Sequence, residues 1–179
     1  MTISVVIPVY GCRRALSELY QRLTDTLRKI TGEYEIILVD DCCPQGSWED
    51  ITKLCAKDHK VMGIRLSRNF GQHRAIRAGL GKARGDWIVI MDCDLQDRPE
   101  DIITLKEKAD EGYDVVIKKR TNRKESFATL FFSRLFYKIY NYFTDGAYDS
   151  ELCNYCIITR KVANEILRFG EQNTDVIFV

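Results

Sequence analysis

The sequence predicts an α/β fold, a single domain in which helices flank a mostly parallel sheet. Two observations carry this expectation. Short apolar, β-branched runs recur along the chain, and helical patterns of roughly 10–18 residues separate them, which is the signature of βαβ units. The runs also stay apolar from end to end and do not alternate, as strands buried on both faces do.

Each element follows in order. Ile3-Ser-Val-Val-Ile-Pro-Val9 reads as the first strand. Residues 13–30 carry Ala15, Leu16, Leu19, Leu23, Leu27 and Ile30 at helical spacing, with Gly32 as the stop. Tyr34-Glu-Ile-Ile-Leu-Val39 is the second strand and ends at Asp40-Asp41. Ser47, followed by Asp50, marks a helix start, and that helix runs to about Lys57. Val61 to Leu66 is the third strand, followed by a loop and a helix over about 72–83. Asp86-Trp-Ile-Val-Ile-Met91 is the fourth strand, and Pro99 opens a helix reaching about Glu111. Tyr113 to Lys118 is the fifth strand. An aromatic-rich helix over about 124–143, a strand near 154–159 and a helix near 161–168 complete the pattern.

The length of 179 residues fits one domain, and 45% hydrophobic with 30% charged residues is a globular composition. Lys+Arg 27 against Asp+Glu 26 leaves a formal net charge of +1, which excludes the polycation of a general nucleic-acid binder. No apolar run approaches the roughly 20 residues of a spanning helix, and Met1-Thr-Ile-Ser lacks the basic start of a signal peptide. Seven cysteines, an odd number without an export signal, predict reduced thiols in a cytoplasmic protein. Cys153-Asn-Tyr-Cys156 reads as a pair of buried strand thiols without metal or redox chemistry. The apolar, strand-like ending Asp175-Val-Ile-Phe-Val179 predicts that the domain spanning 1–179 is incomplete at its C-terminus.

Open parallel sheets bind ligands beyond the carboxyl ends of their strands. Three such ends carry turn or acidic chemistry here: Val9-Tyr10-Gly11, Asp40-Asp41 and Asp92-Cys93-Asp94. The strongest constellation is Asp92-Cys93-Asp94-Leu95-Gln96-Asp97. Two carboxylates spaced i, i+2 at a strand end can face one cation, with the Gln96 amide oxygen as a further hard ligand. Such a set suits Mg²⁺ or Mn²⁺, which bind through one or two carboxylates plus substrate phosphates. Asp97 and Glu100 are expected to cap the helix opened by Pro99. Between Arg65 and Arg84 stand six basic residues and no acid, whereas residues 86–114 hold ten acids against three bases. In that basic run, Asn69-Phe-Gly71 offers backbone donors at a helix N-terminus, where anions are favoured.

Taken together, Val6-Ile-Pro8-Val9-Tyr10, Val39-Asp40-Asp41, Arg68-Asn69-Phe-Gly71 and Gly85-Asp86 through Asp92-Cys-Asp94-Leu-Gln96-Asp97-Arg-Pro99-Glu100 closely resemble family 2 glycosyltransferases of the GT-A fold. Within them the resemblance is to the dolichyl-phosphate mannose synthase and polyprenyl-phosphate glycosyltransferase branch. It implies an inverting, metal-dependent transferase that moves a sugar from a UDP- or GDP-sugar donor. Pro8 and Tyr10 would line the nucleobase pocket, Asp41 would accept a hydrogen bond from the base, and Cys93 would sit beside the donor. Asp92, Asp94 and Gln96 would hold the metal that bridges the donor diphosphate. Arg120 matches a donor-phosphate position and Arg134 an acceptor-phosphate position. The implied acceptor is a polyprenyl phosphate at the cytoplasmic face of the inner membrane, whose anionic oxygen attacks without a strong protein base. A sugar-hydroxyl acceptor, as in polysaccharide synthesis, would need one. Asp149 stands with Asp92 and Asp94 as a candidate catalytic residue, and Asp175 is a further late aspartate.

The sequence departs from the family pattern at Cys42-Cys43 and at Cys153-Asn154-Tyr155-Cys156. Residues 118–138 hold seven bases against one acid, interleaved with aromatics, which fits an interfacial helix on anionic lipid. The stripe Phe132, Phe136, Ile139 and Phe143 equally fits packing on the sheet. A non-catalytic nucleotide-sugar-binding module is the alternative from another class. A nucleotidyltransferase should carry a Gly-rich phosphate loop after the first strand, and Tyr10-Gly11-Cys12-Arg13-Arg14 is not one. The oligomeric state is left open.

Overall fold

The structure, a computed structural model, describes residues 1–119 and 152–169. Its elements are β1 (Ile3–Val9), a 3₁₀ turn (Arg13–Ala15), α1 (Leu16–Ile30), β2 (Tyr34–Asp40), α2 (Ser47–Lys57), β3 (Val61–Arg65) and α3 (Gln72–Leu80). Then follow β4 (Trp87–Ile90), α4 (Asp101–Ala109), β5 (Val115–Lys119), β6 (Leu152–Thr159) and α5 (Arg160–Phe169). The strands form one sheet in the order β3-β2-β1-β4-β6-β5. β1 pairs in parallel with β2 and β4, β2 pairs in parallel with β3, and β6 runs antiparallel to β4 and β5. The expected mostly parallel α/β sheet is therefore present.

The unbroken apolar runs reflect helices on both faces. Along β1, Ile3, Val5, Ile7 and Val9 face α1, α2 and α4, meeting Leu19, Leu23, Leu27, Ile51, Ile102 and Leu105. Val6 faces the other way with Ile37 and Val39, against Ala75, Ile76 and Leu80 of α3 and Ala163 of α5. Successive side chains of a strand point to opposite faces, so a two-sided core requires apolar residues at every position.

Element starts differ from expectation in physically informative ways. α2 begins at Ser47, but its N-cap is Gly46 at φ 74°, and the Ser47 hydroxyl donates to Cys43 Sγ instead of capping. α3 stops at Leu80, short of 83, and the Lys82 and Ala83 N–H groups share the Gly79 carbonyl in a closing turn. Glu100 occupies the N-cap of α4 yet makes no side-chain capping bond. Its carboxylate accepts both Arg22 Nε at 2.8 Å and Arg22 Nη2 at 2.7 Å. A bidentate charged pair is stronger than a neutral cap, and it ties α1 to α4.

The site is positioned by the change of direction in the sheet. β2 and β3 lie on one side of β1, and β4 lies on the other. Pairing between β1 and β2 continues to Val9↔Asp40, but pairing between β1 and β4 ends at Val6↔Ile90. The last tie is the Met91 N–H to the Val6 carbonyl, and Pro8 has no N–H with which to continue the ladder. Beyond that point β1 and β4 part, leaving a crevice at the topological switch point. Among the described residues no helix is long and apolar enough to cross a membrane. The aromatic helix expected at 124–143 lies outside the described residues, so neither its lipid-facing nor its core-facing alternative is addressed by the structure.

Candidate functional site

The crevice between β1 and β4 opens into a cleft of about 300 Å³ lined by Pro8 and Tyr10 after β1, Asp41 after β2, and Asn69, Gly71 and Gln72 at the start of α3. Asp92, Cys93 and Asp94 after β4 close it. The three strand ends expected to converge do so. Tyr10 is 53% exposed and lines the cleft with its aromatic ring.

Asp41 is buried at 3% exposure. Its Oδ1 accepts the Phe70 N–H at 2.8 Å and its Oδ2 accepts the Gly71 N–H at 2.9 Å. This corrects one expectation: the backbone donors at the start of α3 already hold an anion, the chain's own Asp41. The arrangement needs Gly71 at φ 90°, a conformation that a side chain would strain. Each Asp41 oxygen keeps a second lone pair for a donor in the cleft. The neighbouring Asp40 is also buried, accepting the Cys43 N–H at 3.2 Å and facing Arg65 at 3.6 Å. The basic run beginning at Arg65 is thus partly structural, and Arg77 likewise donates to the Leu167 carbonyl at 2.7 Å.

The acidic pair is held from two sides. Gln72, in the first turn of α3, donates its side-chain amide to Asp92 Oδ1. The Gln96 backbone N–H donates to Asp94 Oδ1 at 3.0 Å, closing a local turn with Leu95 at φ 65°. A non-glycine residue at positive φ is uncommon, and such residues cluster at functional sites. Asp94 is exposed and Asp92 half-buried, both toward the cleft. Among the described residues no group of three or more His, Cys, Asp or Glu forms a closed metal cage. Two carboxylates on an open cleft fit a hard divalent cation whose remaining ligands come from a bound diphosphate and water. Gln96 is exposed and is not among the residues lining the cleft.

The cysteines depart from the expected set of reduced thiols. Cys12, after β1, and Cys93, between the two aspartates, are disulfide-bonded with a Cα–Cα separation of 6.0 Å. The cause is topological: β1 and β4 are neighbours, so the segments leaving them lie side by side, and both cysteines are buried. Among the described residues Cys42, Cys43 and Cys55 are free thiols. Cys156 is buried in β6 as expected, and Cys153's side chain lies outside the described set. Burial opposes ionisation of Cys43, but hydrogen bonds from the Ser47 hydroxyl and the Gly11, Gln45 and Ser47 backbone outweigh it and hold the thiol below its ordinary range. Cys42, directly after Asp41, sits at φ 54°, the second non-glycine residue at positive φ among the described residues.

A second cleft of about 640 Å³ adjoins the first, lined by Gly11, Cys12, Arg13, Arg14, Ala15, Gln45 and Asp94. Arg13 is committed there, donating to Asp50 at 2.7 Å, Glu49 at 3.0 Å and the Gln45 carbonyl at 2.7 Å. Arg120, Arg134, Asp149 and Asp175 lie outside the described residues. Asn69, singled out from sequence for its junction, stands on the wall, whereas the role of Gln72 in orienting Asp92 was not foreseen. Its signal was its place directly after the Asn-Phe-Gly junction between β3 and α3.

Solved structures share this architecture. The mannosyltransferase PcManGT from Pyrobaculum calidifontis, in complex with GDP-Man and Mn²⁺, superposes with a TM-score of 0.62 at 19% identity, covering 98% of this chain and 48% of that one. Glucosyl-3-phosphoglycerate synthase from Mycobacterium tuberculosis, with Mn²⁺, UDP-glucose and phosphoglyceric acid, gives 0.63 at 17% identity, covering 90% and 57%. TarS residues 1–349 from S. aureus, in complex with UDP, gives 0.53 at 23% identity, covering 70% and 37%. At these identities the likeness is one of fold, and the chain spans between 37% and 57% of the three solved chains. The sequence match to the family described as Glycosyl transferase family 2 runs over residues 4–167, and the chain belongs to that family.

Proposed function

We propose that the cleft binds the nucleoside diphosphate of a UDP- or GDP-sugar with Mg²⁺ or Mn²⁺, and that the protein transfers the sugar with inversion to a polyprenyl phosphate. The observation that carries this is the gathering of an exposed aromatic, a buried carboxylate and the Asp92/Asp94 pair around one crevice at the sheet's switch point. The solved relatives of like fold that hold UDP, GDP-Man or UDP-glucose, two of them with Mn²⁺, support it.

In this reading the base stacks on Tyr10 against Pro8, and a base N–H donates to a free lone pair of Asp41. Because Phe70 and Gly71 already fix that carboxylate, the base meets an acceptor that loses no orientational freedom on binding. Asp92 and Asp94 would hold the cation, and the exposed Gln96 would have to turn towards the cleft to add a further oxygen ligand. When bound, the cation supplies Lewis-acid stabilisation of the charge that develops on the leaving diphosphate. Gln72 keeps Asp92 aimed into the cleft, and Cys93 lines the cleft between the two carboxylates in sequence. Arg120 and Arg134 are assigned to donor and acceptor phosphates. An acceptor phosphate oxygen is already anionic and needs no protein base, whereas a hydroxyl acceptor would enlist Asp149. A lipid acceptor places the protein at the cytoplasmic face of a membrane, within the dolichyl-phosphate mannose synthase and polyprenyl-phosphate branch.

The test is to incubate the protein with radiolabelled GDP- and UDP-sugars, Mn²⁺ and a short-chain polyprenyl phosphate. Label partitioning into the organic phase, dependent on Mn²⁺, is the expected result. Label moving only to sugar hydroxyls would replace the lipid acceptor by a polysaccharide one. Donor binding without transfer to either would leave a nucleotide-sugar-binding module.

A further inference from the structure

We propose that Cys12 and Cys93 form a reversible redox staple that tunes the affinity of the acidic cleft for a nucleoside diphosphate and its cation. The proposal rests on the donor-site assignment above. The bond lies where the backbone stops holding the site together. β1 and β4 share their last hydrogen bond at Met91 N–H to Val6 C=O, and Pro8 has no donor with which to extend the ladder. Beyond it the segment after β1 carries Tyr10 and the segment after β4 carries Asp92 and Asp94. The Cys12–Cys93 bond is the covalent tie between those two edges.

Its placement also sets the side from which it is reached. Cys93 lines the cleft that holds Asp92 and Asp94, Cys12 lines the adjoining cleft with Arg13 and Arg14, and Asp94 borders both. The disulfide is therefore part of the wall between two clefts, and because Cys12 is 7% and Cys93 5% exposed, a small thiol reaches it only when that wall opens on the Cys12 side. Arg14 is exposed there, a cation suited to the carboxylates of a peptide thiol.

The chemistry balances as thiol–disulfide exchange with a small disulfide of the glutathione class. One cysteine thiolate attacks the reagent's S–S bond, forming a mixed disulfide and expelling one thiolate. The second cysteine thiolate then attacks the protein sulfur of that mixed disulfide, closing Cys12–Cys93 and expelling the other. Both cysteines are oxidised by one electron each, the reagent is reduced to two thiols, and the two cysteine protons end on those thiols. Reduction runs the same steps in reverse. The closed bond holds the Tyr10 segment and the Asp92–Asp94 segment at one spacing. A pre-set site loses less freedom on binding than one whose two halves move independently.

The experiment poises the protein in reduced or oxidised glutathione, reads the bond by mass spectrometry after thiol alkylation, and titrates GDP and UDP with Mn²⁺ by calorimetry. The expected result is that the oxidised form contains the Cys12–Cys93 peptide pair and binds one nucleotide about five-fold or more tighter than the reduced form. Cys12→Ser should bind like the reduced wild type and ignore the glutathione poise. If that variant fails to fold, the oxidised and reduced wild type still decide the matter. A bond that forms without changing affinity overturns the proposal and leaves the donor site standing. A bond that does not form, or a Cys12→Ser protein that still responds to oxidation, also overturns it. Absence of nucleotide binding in both states refutes the donor-site assignment, and the coupling falls with it.

Discussion

The side-chain amide of Gln72 donates to Oδ1 of Asp92, so the first turn of α3 orients the first carboxylate of the acidic pair. The contact crosses from the helix after β3 to the loop after β4 and joins the two walls of the cleft. A metal-binding carboxylate with a fixed rotamer pays little entropy when the ion arrives, and outer partners of this kind commonly tune metal affinity by tenfold or more.

Gln72→Ala is therefore expected to weaken Mn²⁺-dependent nucleotide binding by roughly 10-fold while leaving Mn²⁺-independent binding of the base moiety nearly unchanged. Calorimetry with and without Mn²⁺ separates the two. Gln72→Glu should be worse than Ala, since it removes the donor and adds a charge that repels Asp92.

Asp41 gives a prediction about stability as well as binding. Its carboxylate is buried and receives the Phe70 and Gly71 N–H groups. Asp41→Asn removes the charge and presents an NH₂ group to one of those donors, leaving it unsatisfied. The expected cost is about 1–3 kcal/mol of folding stability together with loss of nucleobase affinity. Denaturant unfolding measures the first, and titration with the free nucleoside measures the second. Unchanged unfolding would mean that the α3 start is anchored elsewhere.

The Arg22–Glu100 pair predicts a pH signature. Hydrogen bonding from Arg22 lowers the Glu100 pKa from 4.5 to about 2. A depressed carboxyl stabilises the fold fully above its unfolded value, and that contribution fades as pH falls from about 4.5 to about 2. Glu100's side chain is 37% exposed, so screening limits the effect to about 1 kcal/mol. Glu100→Gln should be less stable than wild type at pH 7, with the difference disappearing near pH 2. A difference that persists unchanged at low pH would contradict the pair's role.

The fold was legible because it rests on period and length. Runs such as Ile3–Val9 have one physical solution, burial on both faces, and the structure gives them that. Strand ends were legible for the same reason, so Tyr10, Asp41, Asp92 and Asp94 fall together as expected. Pairings across the molecule were not. Glu100 reads as a cap in its local sequence, but its partner Arg22 lies 78 residues away. Cys12 and Cys93, separated by 81 residues, meet only because β4 pairs with β1, and strand order is not written in the local pattern. An odd cysteine count argues for reduced thiols on average and says nothing about one favourable pair. Asn69-Phe-Gly71 was recognisable as an anion-binding junction, but that its anion is the chain's own Asp41 follows only from tertiary structure.

In the proposed reading Asp92 and Asp94 form the cation-dependent diphosphate site. The decisive measurement is calorimetric titration of GDP and UDP into wild type and Asp92→Asn protein, each with Mn²⁺ and with chelator. Wild type is expected to bind one nucleotide in a Mn²⁺-dependent manner. Asp92→Asn should lose that dependence, falling to the chelated wild-type affinity with its unfolding profile intact. Equal, Mn²⁺-independent binding by both proteins would contradict the assignment.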